Sequence, residues 1–214
     1  MSVFTLVIGN KNYSSWSLRG WLALKHTGAA FDEVLIALDQ PETRAQLLTH
    51  SPTAKVPVLK TADNVIWDSL AIAEYLADCF PDAGLWPENP GDRAIARAVS
   101  SEMHSGFVAV RSQMPMDLRN TYASPEPDAA LGAEIRRIDD IWQDCRARFG
   151  AGGPFLFGTF TIADCMFAPV VGRFAGYQID VSETSAVYMK AVLATPEMVE
   201  WTEAAKSEPW VIKY

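Results

Sequence analysis

The chain has 214 residues, 49% hydrophobic and 21% charged, with 7 Trp and 10 Phe, so it can bury a sizeable core in one large or two small domains and is too aromatic to stay disordered. A formal charge of −8 argues against a nucleic-acid partner, which needs clustered Lys and Arg to neutralise phosphates, and no apolar run approaches the ~20 residues that span a bilayer. Met1 to Phe4 shows no basic flank or cleavage pattern, so the expected setting is cytoplasmic, with no membrane partner.

Phe4 to Ile8 reads as a buried strand and Trp16 to His26 as a helix closed by Thr27-Gly28. A second strand is expected from Phe31 to Ala37. A short helix after Pro41 ends near His50, and short strands follow at Val58-Leu59 and Val65 to Trp67. Leu70, Ala73, Leu76 and Phe80 mark one face of a third helix. This β-α-β-α-β-β-α order over residues 1–80 predicts a small α/β domain with a mixed sheet covered by helices. Residues 81–90, with Pro81, Pro87, Pro90 and Gly84, read as a surface linker. From 91 to 214 strand patterns vanish. Helical periodicity is clearest at Leu131, Ile135, Ile138, Trp142, Cys145 and Phe149, and Pro115 should kink or end the first long helix near Met114. An all-helical domain is expected there. Cys79, Cys145 and Cys165 are odd in number and far apart, fit neither a disulfide framework nor a zinc site, and are expected as core thiols with no metal.

Four segments can carry chemistry or merely structure. Asn12-Tyr13-Ser14-Ser15 joins the first strand to the first helix. A serine there caps free N–H groups, and the same N–H groups with the helix dipole favour an anion, a thiolate included. In Lys55-Val56-Pro57-Val58 the proline opens an apolar strand; a cis Val56-Pro57 bond would turn the Val56 backbone toward a peptide-like ligand. Asp68-Ser69 is a helix cap that can also hold the ammonium and carboxylate of an amino acid. Thr161 to Asp164 is a capping box with a folding role.

Together and in this order, these segments resemble the soluble glutathione S-transferases over nearly the whole chain. Ser51 to Leu59 is similar to the family's cis-proline segment, and Asp68 to Leu76 to its acidic-Ser motif. The resemblance implies a thioredoxin-like domain, an all-α helical bundle and a homodimer. It also implies glutathione as co-substrate, held by Asn12, Lys55, Val56, Pro57, Asp68 and Ser69. The segment before the first helix looks serine-type and zeta-like, which gives the thiol contact to Ser14, with Ser15 second and Asn12 a competitor in the alternative register. No cysteine stands beside the serine pair, unlike the zeta pattern. A small hydrophobic electrophile is expected against the first long helix, where Met103, His104, Phe107 and Arg111 are candidates. Met114 and Met116 flank Pro115 as a wall of the pocket or of the core, and Trp16 and Trp21 read as core or interface aromatics. An isomerase or lyase, in which the thiolate adds and later leaves, is the first alternative; a non-catalytic binding protein of this fold is the second.

Overall fold

The computed structural model describes residues 3–212. Strand β1 (Phe4–Ile8) pairs in parallel with β2 (Phe31–Leu35) and antiparallel with β3 (Val58–Lys60), which pairs antiparallel with β4 (Val65–Trp67). The sheet order is β2-β1-β3-β4. β2 stops short of the expected Ala37 after a last ladder bond from Ile36 N–H to the Ile8 carbonyl, 2.9 Å.

Alternation along the strands divides the domain's core. Leu6, Ile8 and Leu59 face helices α1 (Ser15–His26) and α3 (Ser69–Cys79), while Val7 and Val58 face Leu47 of the short helix α2 (Thr43–Leu48). The buried residues of α3 are Ser69, Ile72, Ala73 and Leu76, so Leu70 and Phe80 flank its buried face rather than centre it. Cys79 is exposed, contrary to expectation, because it lies at the last turn of α3; Cys145 and Cys165 are core thiols.

Among the described residues, six α-helices follow: α4 (Pro90–Ser105), α5 (Val108–Gln113), α6 (Ala129–Phe149), α7 (Ile162–Gly176), α8 (Glu183–Leu193) and α9 (Pro196–Lys206). α7 is buried from Ile162 to Phe174, and both α1 and α4 pack on it. One core therefore runs from the sheet through Trp21, Trp142, Phe167 and Trp201. Among the described residues no helix is long and apolar enough to cross a membrane.

Within residues 81–90, most of them exposed, Leu85 and Trp86 sit in the core: the Trp86 indole N–H donates to Glu74 (3.0 Å), and the Leu85 carbonyl accepts the Ile162 N–H (2.9 Å). The first long helix breaks earlier than Pro115, at Gly106-Phe107. A Cβ at Gly106 would lie 2.8 Å from the Glu102 carbonyl, Phe107 takes a left-handed φ of 56°, and Glu134 of α6 accepts the Val110 N–H (2.8 Å) to start α5.

The capping box at α7 is complete. The Asp164 carboxylate, fully buried, accepts the Thr161 N–H (2.8 Å), the Thr161 hydroxyl (3.0 Å) and the Leu156 N–H (3.1 Å). Burial pushes its pKa up to about 6 against the pull of those bonds. Replacing Asp164 by Ala leaves three buried donors without an acceptor, and a loss of about 3 kcal/mol is expected in denaturant or thermal unfolding.

Candidate functional site

A cleft of about 830 Å³ opens where the start of α1 meets the β3 entry, the start of α3 and the helical domain. Tyr13 to Trp16 form one side, Thr53 to Pro57 a second, and Trp67 to Ser69 a third; Arg111, Pro115, Met116 and Arg173 close it.

Ser14 is the N-cap of α1. Its Oγ accepts the Ser17 N–H (3.3 Å) and donates to Ser17 Oγ (2.8 Å), which in turn accepts the Gly9 N–H (3.0 Å). Ser15 Oγ accepts from Arg173 Nη2 at 3.3 Å. Both serines are buried cleft-wall residues. Asn12 is not on that wall. Its Nδ2 donates to Asp117 Oδ1 (2.8 Å) and its Oδ1 accepts the Leu118 N–H (2.8 Å), so the amide ties its loop to the 115–122 connector.

The Val56-Pro57 bond is cis, and among the described residues neither the N–H nor the C=O of Val56 has a hydrogen-bond partner. Pro57 packs against Gly20 of α1, where a Cβ would approach Pro57 Cγ to 3.1 Å. Lys55 is exposed at the cleft edge. Asp68 adopts a φ of 75°, a strained conformation for a residue with a Cβ, of the kind that gathers at ligand sites. Its Oδ1 caps α3 through the Leu70 and Ala71 N–H groups (2.9 and 3.2 Å), and its Oδ2 lies 3.0 Å from His104 Nε2. Ser69 Oγ is buried with no hydrogen-bond partner among the described residues.

The four residues expected on the helical side divide. Arg111 lines the cleft. His104 is set edge-on against Trp16 and reaches the site through Asp68. Met103, on the buried face of α4, and Phe107, at the break, are both in the core and not on the cleft wall. Met116 and Pro115 face the cleft whereas Met114 is in the core, and Trp16 is a cleft-wall residue.

Sequence reasoning named Arg111 but missed Arg19 and Arg173 beside it. Arg173 donates through Nε to the Met114 carbonyl (2.8 Å) and through Nη2 to Ser15. Arg19 and Arg111 lie over the Trp16 ring at 4.4 and 5.5 Å. Arg19 is fully buried, and none of its three side-chain nitrogens has a hydrogen-bond partner among the described residues. Burial, then Arg173 and Arg111, lower its pKa to about 9, with Asp68 pulling the other way. Burial also lowers the pKa of Arg111, opposed by Glu134. A signal for Arg173 existed: it and Asp164 are the two charged residues in a 15-residue helix that is otherwise almost wholly apolar.

Two family models match the chain. Residues 13–79 match the glutathione S-transferase N-terminal domain and residues 128–205 the C-terminal domain. The chain belongs to the glutathione S-transferase superfamily. The cis Pro57 and the Asp68-Ser69 cap fall inside the first match and the capping box at Thr161 inside the second. Among curated proteins it is 28% identical to a probable maleylacetoacetate isomerase of Caenorhabditis elegans over 177 residues, 78% of this chain and 77% of that one. Two solved structures share the glutathione S-transferase fold. One is a holo maleyl pyruvate isomerase, a bacterial zeta-class protein (TM-score 0.74, 21% identity, 95% and 99% of the two chains). The other is a Burkholderia glutathione transferase homolog with bound glutathione (TM-score 0.73, 21% identity, 96% and 99%).

Proposed function

We propose that this protein is a glutathione-dependent enzyme that binds the tripeptide across Val56, Asp68 and Ser69, holds its thiolate at Ser14, and adds it to a small electrophile carrying a carboxylate. The observation that carries the reading is the buried Ser69 hydroxyl, unpartnered among the described residues, beside Asp68 at the α3 N-terminus, in the same cleft as the open Val56 backbone. A carboxylate fits Ser69 and the helix end, an ammonium fits Asp68, and a cysteinyl amide fits Val56. Lys55 extends the positive edge of that binding surface. Ser69→Ala is expected to weaken glutathione binding about tenfold, since it removes one hydrogen bond to a charged group; calorimetric titration checks this. Wild-type protein that takes up no glutathione would end this reading.

To the small hydrophobic electrophile expected from sequence, this reading adds a carboxylate. It rests on Arg111 and Arg173 in the cleft wall, with apolar surface from Trp16 and Met116 around them. This arrangement favours the isomerase as a second reading, in keeping with the probable maleylacetoacetate isomerase among the relatives. The thiolate would add to one carbon of a cis double bond, the π pair would move toward the carboxyl end, and the resulting single bond would rotate. Elimination then restores the double bond and releases glutathione unchanged. A conjugate that keeps the sulfur supports transfer; a trans product with undiminished glutathione supports isomerisation. A cytoplasmic homodimer is proposed with either reading, and sedimentation measures its assembly; edge strand β4 leaves Val65 and Trp67 exposed for such a contact.

A further inference from the structure

Gly9 to Ser14 form the loop that delivers Ser14 and Ser15 from the end of β1 to the start of α1. Its inner turn is local: the Tyr13 and Ser14 N–H groups both donate to the Asn10 carbonyl, at 3.1 and 2.8 Å. Its outer side is held by a residue almost two hundred positions away. Beyond the last helix, Glu208 places both carboxylate oxygens on consecutive loop amides, Oε1 on the Lys11 N–H (2.6 Å) and Oε2 on the Asn12 N–H (3.1 Å). The tail is fixed in its turn by Arg119, whose Nη1 donates to the Glu208 carbonyl (2.8 Å) and whose Nη2 donates to the Trp210 carbonyl (2.8 Å) and to the Tyr13 hydroxyl (2.5 Å). The Trp201 indole N–H completes the grip on the Lys11 carbonyl (2.8 Å).

We propose that Glu208 is a positioning residue for the thiol site, acting through the Lys11 and Asn12 amides to set where Ser14 and Ser15 stand. The proposal rests on the glutathione reading above. Two successive N–H groups pointing at one carboxylate form a small anion-binding concavity, and a charged acceptor with two oxygens matches it where a neutral one cannot. β1 and α1 are anchored in the core by Leu6, Ile8, Leu18 and Trp21. Loosening the outer loop therefore leaves the fold and the Val56, Asp68 and Ser69 anchors in place while Ser14 drifts from the sulfur. Misplacement on the ångström scale is enough to cost a catalytic contact most of its effect.

The test compares Glu208→Gln with wild type and with Glu203→Gln, a surface control whose partner is Lys206 on the same helix. Glutathione is the probe, its bound thiolate followed by ultraviolet absorbance against pH; S-methylglutathione, which lacks the thiol, reports the anchors alone. In Glu208→Gln the pKa of the bound thiol should rise and kcat/KM toward an activated aryl chloride should fall about tenfold. Affinity for S-methylglutathione should stay within about twofold of wild type. Glu208→Asp, one methylene too short to reach both amides, gives the same readouts if the Gln variant does not fold. A bound thiol with wild-type pKa overturns the inference, whatever happens to the melting temperature, and so does an equal loss of S-methylglutathione affinity. Wild-type protein that binds no glutathione overturns the functional reading and this inference with it; wild-type binding with indistinguishable Glu208 variants overturns this inference alone.

Discussion

Ser14→Ala is expected to lower kcat/KM for glutathione-dependent turnover about 100-fold while affinity for S-methylglutathione changes little. Removing one preorganised donor from a developing or resident anion costs on this order. A free cysteine thiol has a pKa of about 8.5, so at neutral pH only a few per cent is nucleophilic unless a donor stabilises the anion. Ser14 is suited to that task. Its oxygen accepts the Ser17 N–H at the positive end of α1, which polarises its own O–H. Its proton rests on the neutral hydroxyl of Ser17. A thiolate is the stronger acceptor and should draw that proton away. The Ala variant also loses a helix cap, worth about 1 kcal/mol. Two further variants separate cap from chemistry: Ser14→Thr keeps both and should recover most activity, whereas Ser14→Asp keeps the cap but repels the anion and should not. Ser15→Ala, which removes an acceptor for Arg173, is expected to lose only about tenfold. The pH profile of kcat/KM decides between the serines. Its lower limb should move toward the free-thiol value in Ser14→Ala; a larger move in Ser15→Ala would transfer the role to Ser15.

Where a feature is local, the sequence already displays it. The sheet domain was legible because each strand and helix carries its own period, and Pro57, Asp68 and the Thr161 box are signals spelled within a few residues. What is less legible is decided by distant residues. Gly106-Phe107 contains no proline, and the break there depends on Glu134 restarting the helix from across the bundle. The prolines around Leu85 and Trp86 read as surface, yet they bracket two side chains that the core receives. Asn12 has the chemistry of a thiol donor, but Asp117 and Leu118 engage its amide from the other domain. The electrophile side was least legible of all, because Arg19, Arg111 and Arg173 stand on three different helices and converge only in the folded chain.

That convergence sets the second large effect. Arg173→Met is expected to raise KM for a carboxylate-bearing electrophile about 100-fold and to leave turnover of a neutral aryl chloride within about threefold. Arg173 is buried, its Nε fixed on the Met114 carbonyl and its Nη2 directed to Ser15, so its guanidinium faces the cleft in one orientation. Losing a buried charge partner costs about 2–5 kcal/mol, and 100-fold corresponds to about 2.7 kcal/mol. The resting cluster is electrostatically unfavourable, since burial and two neighbouring guanidiniums bring Arg19 down to about 9. An anion in the cleft relieves that repulsion. Without ligand, Arg173→Met should therefore be no less stable than the loss of its hydrogen bonds alone implies. A small cis-dicarboxylate should raise the melting temperature of wild type and not of the variant. Arg173→Lys retains the charge without the planar fork and should recover part of the affinity. Equal losses toward charged and neutral electrophiles would instead make Arg173 a strut between Met114 and Ser15, and the carboxylate would have to be read by Arg111 alone.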